Sequence, residues 1–163
     1  MFRTYDACNG NTVRYCALLL LRHCACDCFG TFFHALTFVI MSPAKKTVLV
    51  AEDESLIRLI TVEALADAGF HVIEVAHTDE ALAVLKADAA EINLLFTDIN
   101  MPGSMNGLEL AHHVHCVWPR VALLIASGKA QPTRTERPPG SRFLTKPYAV
   151  DEVVEHVAAL VAG

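Results

Sequence analysis

From Thr47 onward the chain alternates between short apolar runs and stretches with a helical period. "TVLVA" (47–51) is a run of β-formers without helical spacing, as expected of a strand buried on both faces. "ESLIRLITVEALADAG" (54–69) places Leu56, Ile60, Ala64 and Ala68 four residues apart, which predicts a helix with that stripe inward and Gly69 as its stop. "HVIEVA" (71–76) is a second strand. Thr78 is positioned to N-cap "DEALAVLKA", with Asp79 and Glu80 at the positive helix start. "INLLFTD" (92–98) is the third strand, "GLELAHHVHCVW" (107–118) a helix closed by Pro119, and "VALLIAS" (121–127) the fourth strand. "RFLTK" (142–146) makes a fifth, and "VDEVVEHVAALVAG" (150–163) a last helix with Val150, Val153, Val157 and Leu160 on one face. Residues 129–140, "KAQPTRTERPPG", stand where another helix belongs, but Pro132, Pro138 and Pro139 would each cost about 3 kcal/mol in a helix interior. That helix is therefore expected to be short, irregular or replaced by loop.

Alternating strands and helices predict an α/β fold: a parallel sheet with helices on both faces, joined by right-handed crossovers. Five strands in roughly this length fit the flavodoxin-like doubly wound order 2-1-3-4-5, whose ligand site lies at the carboxyl ends of strands 1 and 3. Asp98 ends strand 3 and Glu52-Asp53 ends strand 1, so three carboxylates are expected to converge. They repel one another unless a cation joins them, and Mg²⁺, which takes oxygen ligands and keeps several waters, suits such a set. Ser127 ends strand 4 and Lys146 ends strand 5. A carboxylate, a cation site, a hydroxyl and an ammonium at neighbouring strand ends can surround a phosphoryl group. The carboxylate is then the nucleophile and the product an acyl phosphate.

Composition adds limits. The 163 residues are 53% hydrophobic with a net charge of −5, enough for one domain and an appendage, and no basic stripe suggests a nucleic-acid surface. Five of the six cysteines (Cys8, Cys16, Cys24, Cys26, Cys28) precede residue 29 and only Cys116 lies in the patterned region, so the main domain reads as reduced and cytoplasmic. Residues 1–43 are expected to be an extension, disordered or not part of the native protein, because "MSPAKKTVLV" at Met41 looks like a natural start. A membrane-associated segment and a metal clip at "HCACDC" are the other readings; the uncharged stretch from Cys28 to Met41 falls short of the ~20 residues of a span. The domain proper is residues 44–163.

"VLVAEDES", "LLFTDINMPGSMNGLEL", "LLIASGK" and "RFLTKPY" resemble, in order and spacing, the signature blocks of response-regulator receiver domains of two-component signalling. The resemblance spans about Lys45 to Gly163. It implies that Asp98 accepts a phosphoryl group from the phosphohistidine of a sensor histidine kinase or phosphotransfer protein. It also implies that Glu52, Asp53 and Asp98, with the backbone carbonyl of Asn100, hold Mg²⁺, and that Ser127 and Lys146 bind the phosphoryl oxygens. Phe143 matches the rotating aromatic switch, though it carries no hydroxyl. Gly103-Ser104 make the loop after Asp98 one residue longer than the common form. With nothing after Gly163 in the sequence, the expectation is a stand-alone receiver that signals by contact with a downstream protein, without nucleic acid or membrane. Its only catalysis would be its own phosphoryl transfer and slow autodephosphorylation.

Other classes stay open on the residues alone. A phosphate sink or relay receiver would share the whole site. A phosphatase using Asp98 would need a second acid close behind it, where Asn100 stands. A flavodoxin-like cofactor binder would need a phosphate-cradling loop where Glu52-Asp53 would repel phosphate. His112 and Cys116 are spaced i, i+4 as a metal pair, but two ligands without a third read better as an exposed helix face. Met101 and Trp118 read as packing residues.

Overall fold

The computed structural model describes residues 45–129 and 131–162. The readings made for the segment before Lys45, whether dispensable extension, membrane segment or metal clip, lie outside the described residues. Strands β1 (Thr47–Ala51), β2 (His71–Val75), β3 (Ile92–Asp98), β4 (Ala122–Ser127) and β5 (Arg142–Thr145) alternate with helices α1 (Ser55–Asp67), α2 (Thr78–Asp88), α3 (Gly107–Val117) and α4 (Val150–Val161). All strand pairs are parallel, and the order is β2-β1-β3-β4-β5, as the alternation of strands and helices predicts.

The pleat sends alternate strand residues to two cores. Leu49, Ala51, Leu95 and Ile125 pack with Leu85, Leu110 and Val114 of α2 and α3. Val48, Val50, Leu94, Phe96 and Leu124 pack on the other face with Leu65, Val153 and Val157 of α1 and α4. The central strands β1, β3 and β4 can only reach their partners buried on both faces, which is why their sequences lack polar alternation. The predicted stripe of α4 holds, with Val153 and Val157 buried and Val150 and Leu160 half-buried at its ends.

Two expectations need correction. In α1 the inward stripe is Thr61 and Leu65, whereas Leu56 and Ile60 are 67% and 43% exposed and Ala68 is exposed. The helix carries two apolar stripes, and the four-residue spacing marks the outer one. In α2 the N-cap is His77, and Thr78 is the first helical residue; its buried hydroxyl donates instead to Met105 O at 2.9 Å. Gly69 does end α1, at φ +93°: Gly69 N donates to Ala66 O and Phe70 N to Leu65 O, the paired bonds of a Schellman cap. Between Ser127 and Arg142 the described residues contain no helix, only turns. Glu136 there takes the backbone N–H and hydroxyl of Thr133 at 2.7 and 2.8 Å, and Pro138 is buried.

Candidate functional site

Four strand ends on the same edge of the sheet deliver the site. Glu52 follows β1 and is fully buried; Asp98 closes β3 at 5% exposure; Ser127 closes β4, fully buried; Lys146 follows β5. Asp53 is exposed beside them. Carboxylate oxygens of Glu52, Asp53 and Asp98 come within 4.8 Å of one another, and these three side chains can hold a metal ion. An all-oxygen set with one solvent-facing member fits a hard divalent cation that retains water. Lys146 Nζ donates to both Glu52 oxygens at 2.9 and 2.7 Å and to Asp98 Oδ2 at 2.8 Å.

These contacts set the charge balance. Burial pushes the Glu52 carboxyl above its ordinary value, more than the hydrogen bond and charge of Lys146 pull it down, and the Asp98 charge adds to the rise. Burial acts to lower the Lys146 ammonium, but its hydrogen bonds to Asp98 and Glu52, with their charges, lift it above the usual lysine value. Lys146 is thus a charged ammonium held between two buried acids. Only a group that carries positive charge or accepts negative charge stabilises such a cluster.

Backbone geometry fixes the carboxylates. Arg58 of α1 donates through Nη1 to the carbonyls of Glu52 at 2.7 Å and Asp53 at 3.3 Å, while its Nε meets Glu74 at 3.1 Å. Asn100 N donates to Asp98 Oδ1 at 3.3 Å, and Asn100 Nδ2 to Ser127 Oγ at 3.2 Å, joining the acid of β3 to the hydroxyl of β4. Gly107 begins α3 against the end of β3, and a Cβ there would overlap the Asp98 carbonyl. Asn106 caps α3 by accepting from Leu108 N and Glu109 N, and Glu109 returns the bond to Asn106 N. The longer loop is pinned to α2: Ser104 donates through its backbone and hydroxyl to the two Asp79 oxygens, which holds that carboxyl below its ordinary value. Gly103 sits at φ +147° against Thr78, where no side chain fits.

Glu52, Asp53, Asp98, Ser127, Asn100 and Lys146 are therefore brought together, while Phe143 is not in that group. It lies half-buried on β5, packed toward the core under α2 and α3, with the Arg137 guanidinium 5.2 Å from its ring centroid. His112 Nε2 donates to Glu136 O at 2.8 Å, Cys116 is exposed, and neither joins a group of three metal-ligating side chains among the described residues. Met101 is buried and Trp118 packs on the same core. Arg58 and Arg137 escaped the sequence reading. The lone cation of α1 was the signal for Arg58; for Arg137, in a proline-rich segment, no periodicity offered one.

The chain is similar to known proteins in sequence and in fold. The family model of the response regulator receiver domain matches residues 48–158. The response regulator receiver protein CpdR of Brucella abortus is 31% identical over 120 residues, covering 71% of this chain and 97% of CpdR. The sensor kinase CckA of the same organism is 29% identical over 118 residues, but the chain spans only 12% of it. A response regulator receiver protein from Sinorhizobium medicae superposes with a TM-score of 0.68 at 29% identity, covering 74% of this chain and 97% of that one. The response regulator TrrA of Thermotoga maritima, solved in complex with Mg²⁺-BeF, gives 0.61 at 26% identity, over 71% and 98%.

Proposed function

The chain belongs to the response regulator receiver family, whose members are phosphorylation-dependent signalling proteins, and on that premise we propose that Asp98 is its phosphoryl acceptor. The observation that carries the assignment is the Lys146 ammonium bonded at once to Asp98 Oδ2 and to both oxygens of Glu52. The donor is a phosphohistidine of a sensor kinase or phosphotransfer protein. An Asp98 carboxylate oxygen attacks phosphorus; the O–P bond forms as the P–N bond breaks, and its electron pair stays on the imidazole nitrogen. Lys146 and the Ser127 hydroxyl meet the phosphoryl oxygens. Mg²⁺ would be held by Glu52, Asp53, Asp98 and the Asn100 carbonyl, where it neutralises charge on the transferred group.

The donor docks on α1. Leu56 and Leu59 are 67% and 52% exposed there, and a cavity of about 470 Å³ lined by Ile57, Ile60, Pro147 and Tyr148 runs to Lys146. An apolar face of this kind, opening on the acceptor, suits a helix of the donor protein. The place of a second acid is held by Asn100, whose amide is bonded to Ser127 Oγ, so hydrolysis of external esters is not favoured and turnover is limited to slow loss of its own phosphate. The protein works in the reduced cytoplasm; among the described residues no helix is long and apolar enough to cross a membrane.

Intact-mass analysis with acetyl phosphate and Mg²⁺ tests the assignment. One phosphoryl group is expected on the wild type, none on Asp98→Asn, and none after chelation. Full labelling of Asp98→Asn would overturn it.

A further inference from the structure

The chain is acidic overall, with 18 carboxylates against 13 lysines and arginines, yet residues 128–145 reverse the sign. They carry Lys129, Arg134, Arg137 and Arg142 against the single acid Glu136. That acid is exposed, but its carboxylate is closed onto the backbone N–H and hydroxyl of Thr133, which also hold it below its ordinary pKa. Its carbonyl accepts a hydrogen bond from His112 Nε2, so the turn is strapped to α3. What remains open is a cleft of about 700 Å³ between α3 and this turn, lined by His112, Arg134, Arg137 and residues 138–141. Arg134 is exposed and makes no hydrogen bond or ion pair among the described residues. Arg137 reaches Thr133 O only at 3.4 Å through Nε, and its guanidinium carbon stands over the Phe143 ring.

We propose that this cleft docks an acidic, carboxylate-bearing segment of a partner protein, with Arg134 and Arg137 as the paired cations. Two guanidiniums at the mouth of a polar cleft match carboxylates by forked hydrogen bonds. The cleft lacks the aromatic platform on which single-stranded nucleic acid stacks, and its short charged rim cannot follow a phosphate backbone. A carboxylate that engages Arg137 draws the guanidinium from the Phe143 ring, 5.2 Å from its centroid. Docking therefore changes what covers Phe143, and by reciprocity any shift of Phe143 changes the affinity for the acidic segment. This second part rests on the reading of Asp98 as acceptor and Phe143 as the residue that moves.

The test uses the full chain and a fluorescent dodecapeptide rich in glutamate, followed by anisotropy at low and moderate salt. Saturable binding is expected, weakened about tenfold by Arg134→Glu and by Arg137→Glu and unchanged by Lys86→Glu, exposed on α2, which packs against β1 and β2. Equal loss in all three variants would reduce the effect to net charge and overturn the site. Stronger competition by a short oligouridylate than by unlabelled peptide would assign the cleft to nucleic acid instead. Beryllofluoride with Mg²⁺ is then added, and ¹⁹F NMR reports occupancy of Asp98. A shift in peptide affinity that vanishes in Arg137→Ala supports the coupling; unchanged affinity at full occupancy overturns the coupling and leaves the docking site standing. Absence of the bound ¹⁹F signal would instead strike at the acceptor assignment.

Discussion

Tyr148 stands edge-on to Phe96, centroids 6.2 Å apart, with its hydroxyl covered and without a hydrogen bond of normal geometry. The Thr61 hydroxyl is near enough to favour the ionised phenol, but burial dominates and the phenol is pushed up from 10.0 to about 12. A raised pKa leaves stability intact below the unfolded value and removes it as pH rises toward the folded one. The wild type should thus lose stability from this group between pH 10 and about 12, whereas Tyr148→Phe should not. Lys146, also raised, adds a loss above its ordinary value of 10.5 in both proteins, so the difference between the two melting curves isolates the phenol. At neutral pH, Tyr148→Phe should be neutral or stabilising by up to about 1 kcal/mol, because an unmade hydrogen bond costs more than an absent hydroxyl. Thermal melts from pH 7 to 12 check both; parallel alkaline losses in the two proteins would refute the account.

Among the elements, the segment from β3 to α3 binds structure to chemistry most tightly. Gly107 N donates to Ile99 O at 2.9 Å, and the Gly107 Cα faces the Asp98 carbonyl without room for a methyl group. Gly107→Ala should push α3 away from β3 and misplace Asp98, costing roughly 2–3 kcal/mol and slowing labelling by acetyl phosphate. Asn106→Ala only removes the cap, so it should cost about 1 kcal/mol and leave the labelling rate unchanged. Urea unfolding beside a labelling time course separates them, and equal labelling rates would remove the argument for Gly107. The sequence reading had this glycine as a helix start, but an overlap with Asp98 is a tertiary fact that no local pattern encodes. The same limit explains α1. Its sequence holds two apolar stripes, and only packing on α4 and the sheet selects Thr61 and Leu65 over Leu56 and Ile60. Strand ends were legible for the opposite reason: in a parallel sheet buried on both faces, the first charged residue after an apolar run marks the edge, as Glu52, Asp98 and Lys146 do.

Across the whole domain, stability is unevenly spread. β1, β3 and β4 are enclosed by two cores, while the described residues between Ser127 and Arg142 cross an edge of the sheet with turns in place of a helix. Pro138 is a buried anchor there, and the bonds of Thr133 to Glu136 and of His112 to Glu136 O give the turn a defined shape. The prolines announced the missing helix; the sequence alone did not reveal that a threonine, a glutamate and a histidine would order what replaced it. Both ends of the segment touch the site: Lys146 N donates to Ser127 O at 2.9 Å, Ser127 Oγ accepts from Asn100, and Lys146 Nζ sits on Asp98. A phosphoryl mimic on Asp98 that recruits Ser127 and Lys146 must pull on both ends, and among the described residues between Ser127 and Arg142 only Pro138 is buried to resist it. A bias of a few kcal/mol suffices to reorder such a segment. Beryllofluoride with Mg²⁺ is therefore expected to change backbone hydrogen exchange mainly within residues 128–146, with much smaller changes in β1 and α4. Exchange that stays identical there while Asp98 is fully occupied would mean that the turn is decoupled from the site, and that any signal leaves through α1 or α3 instead.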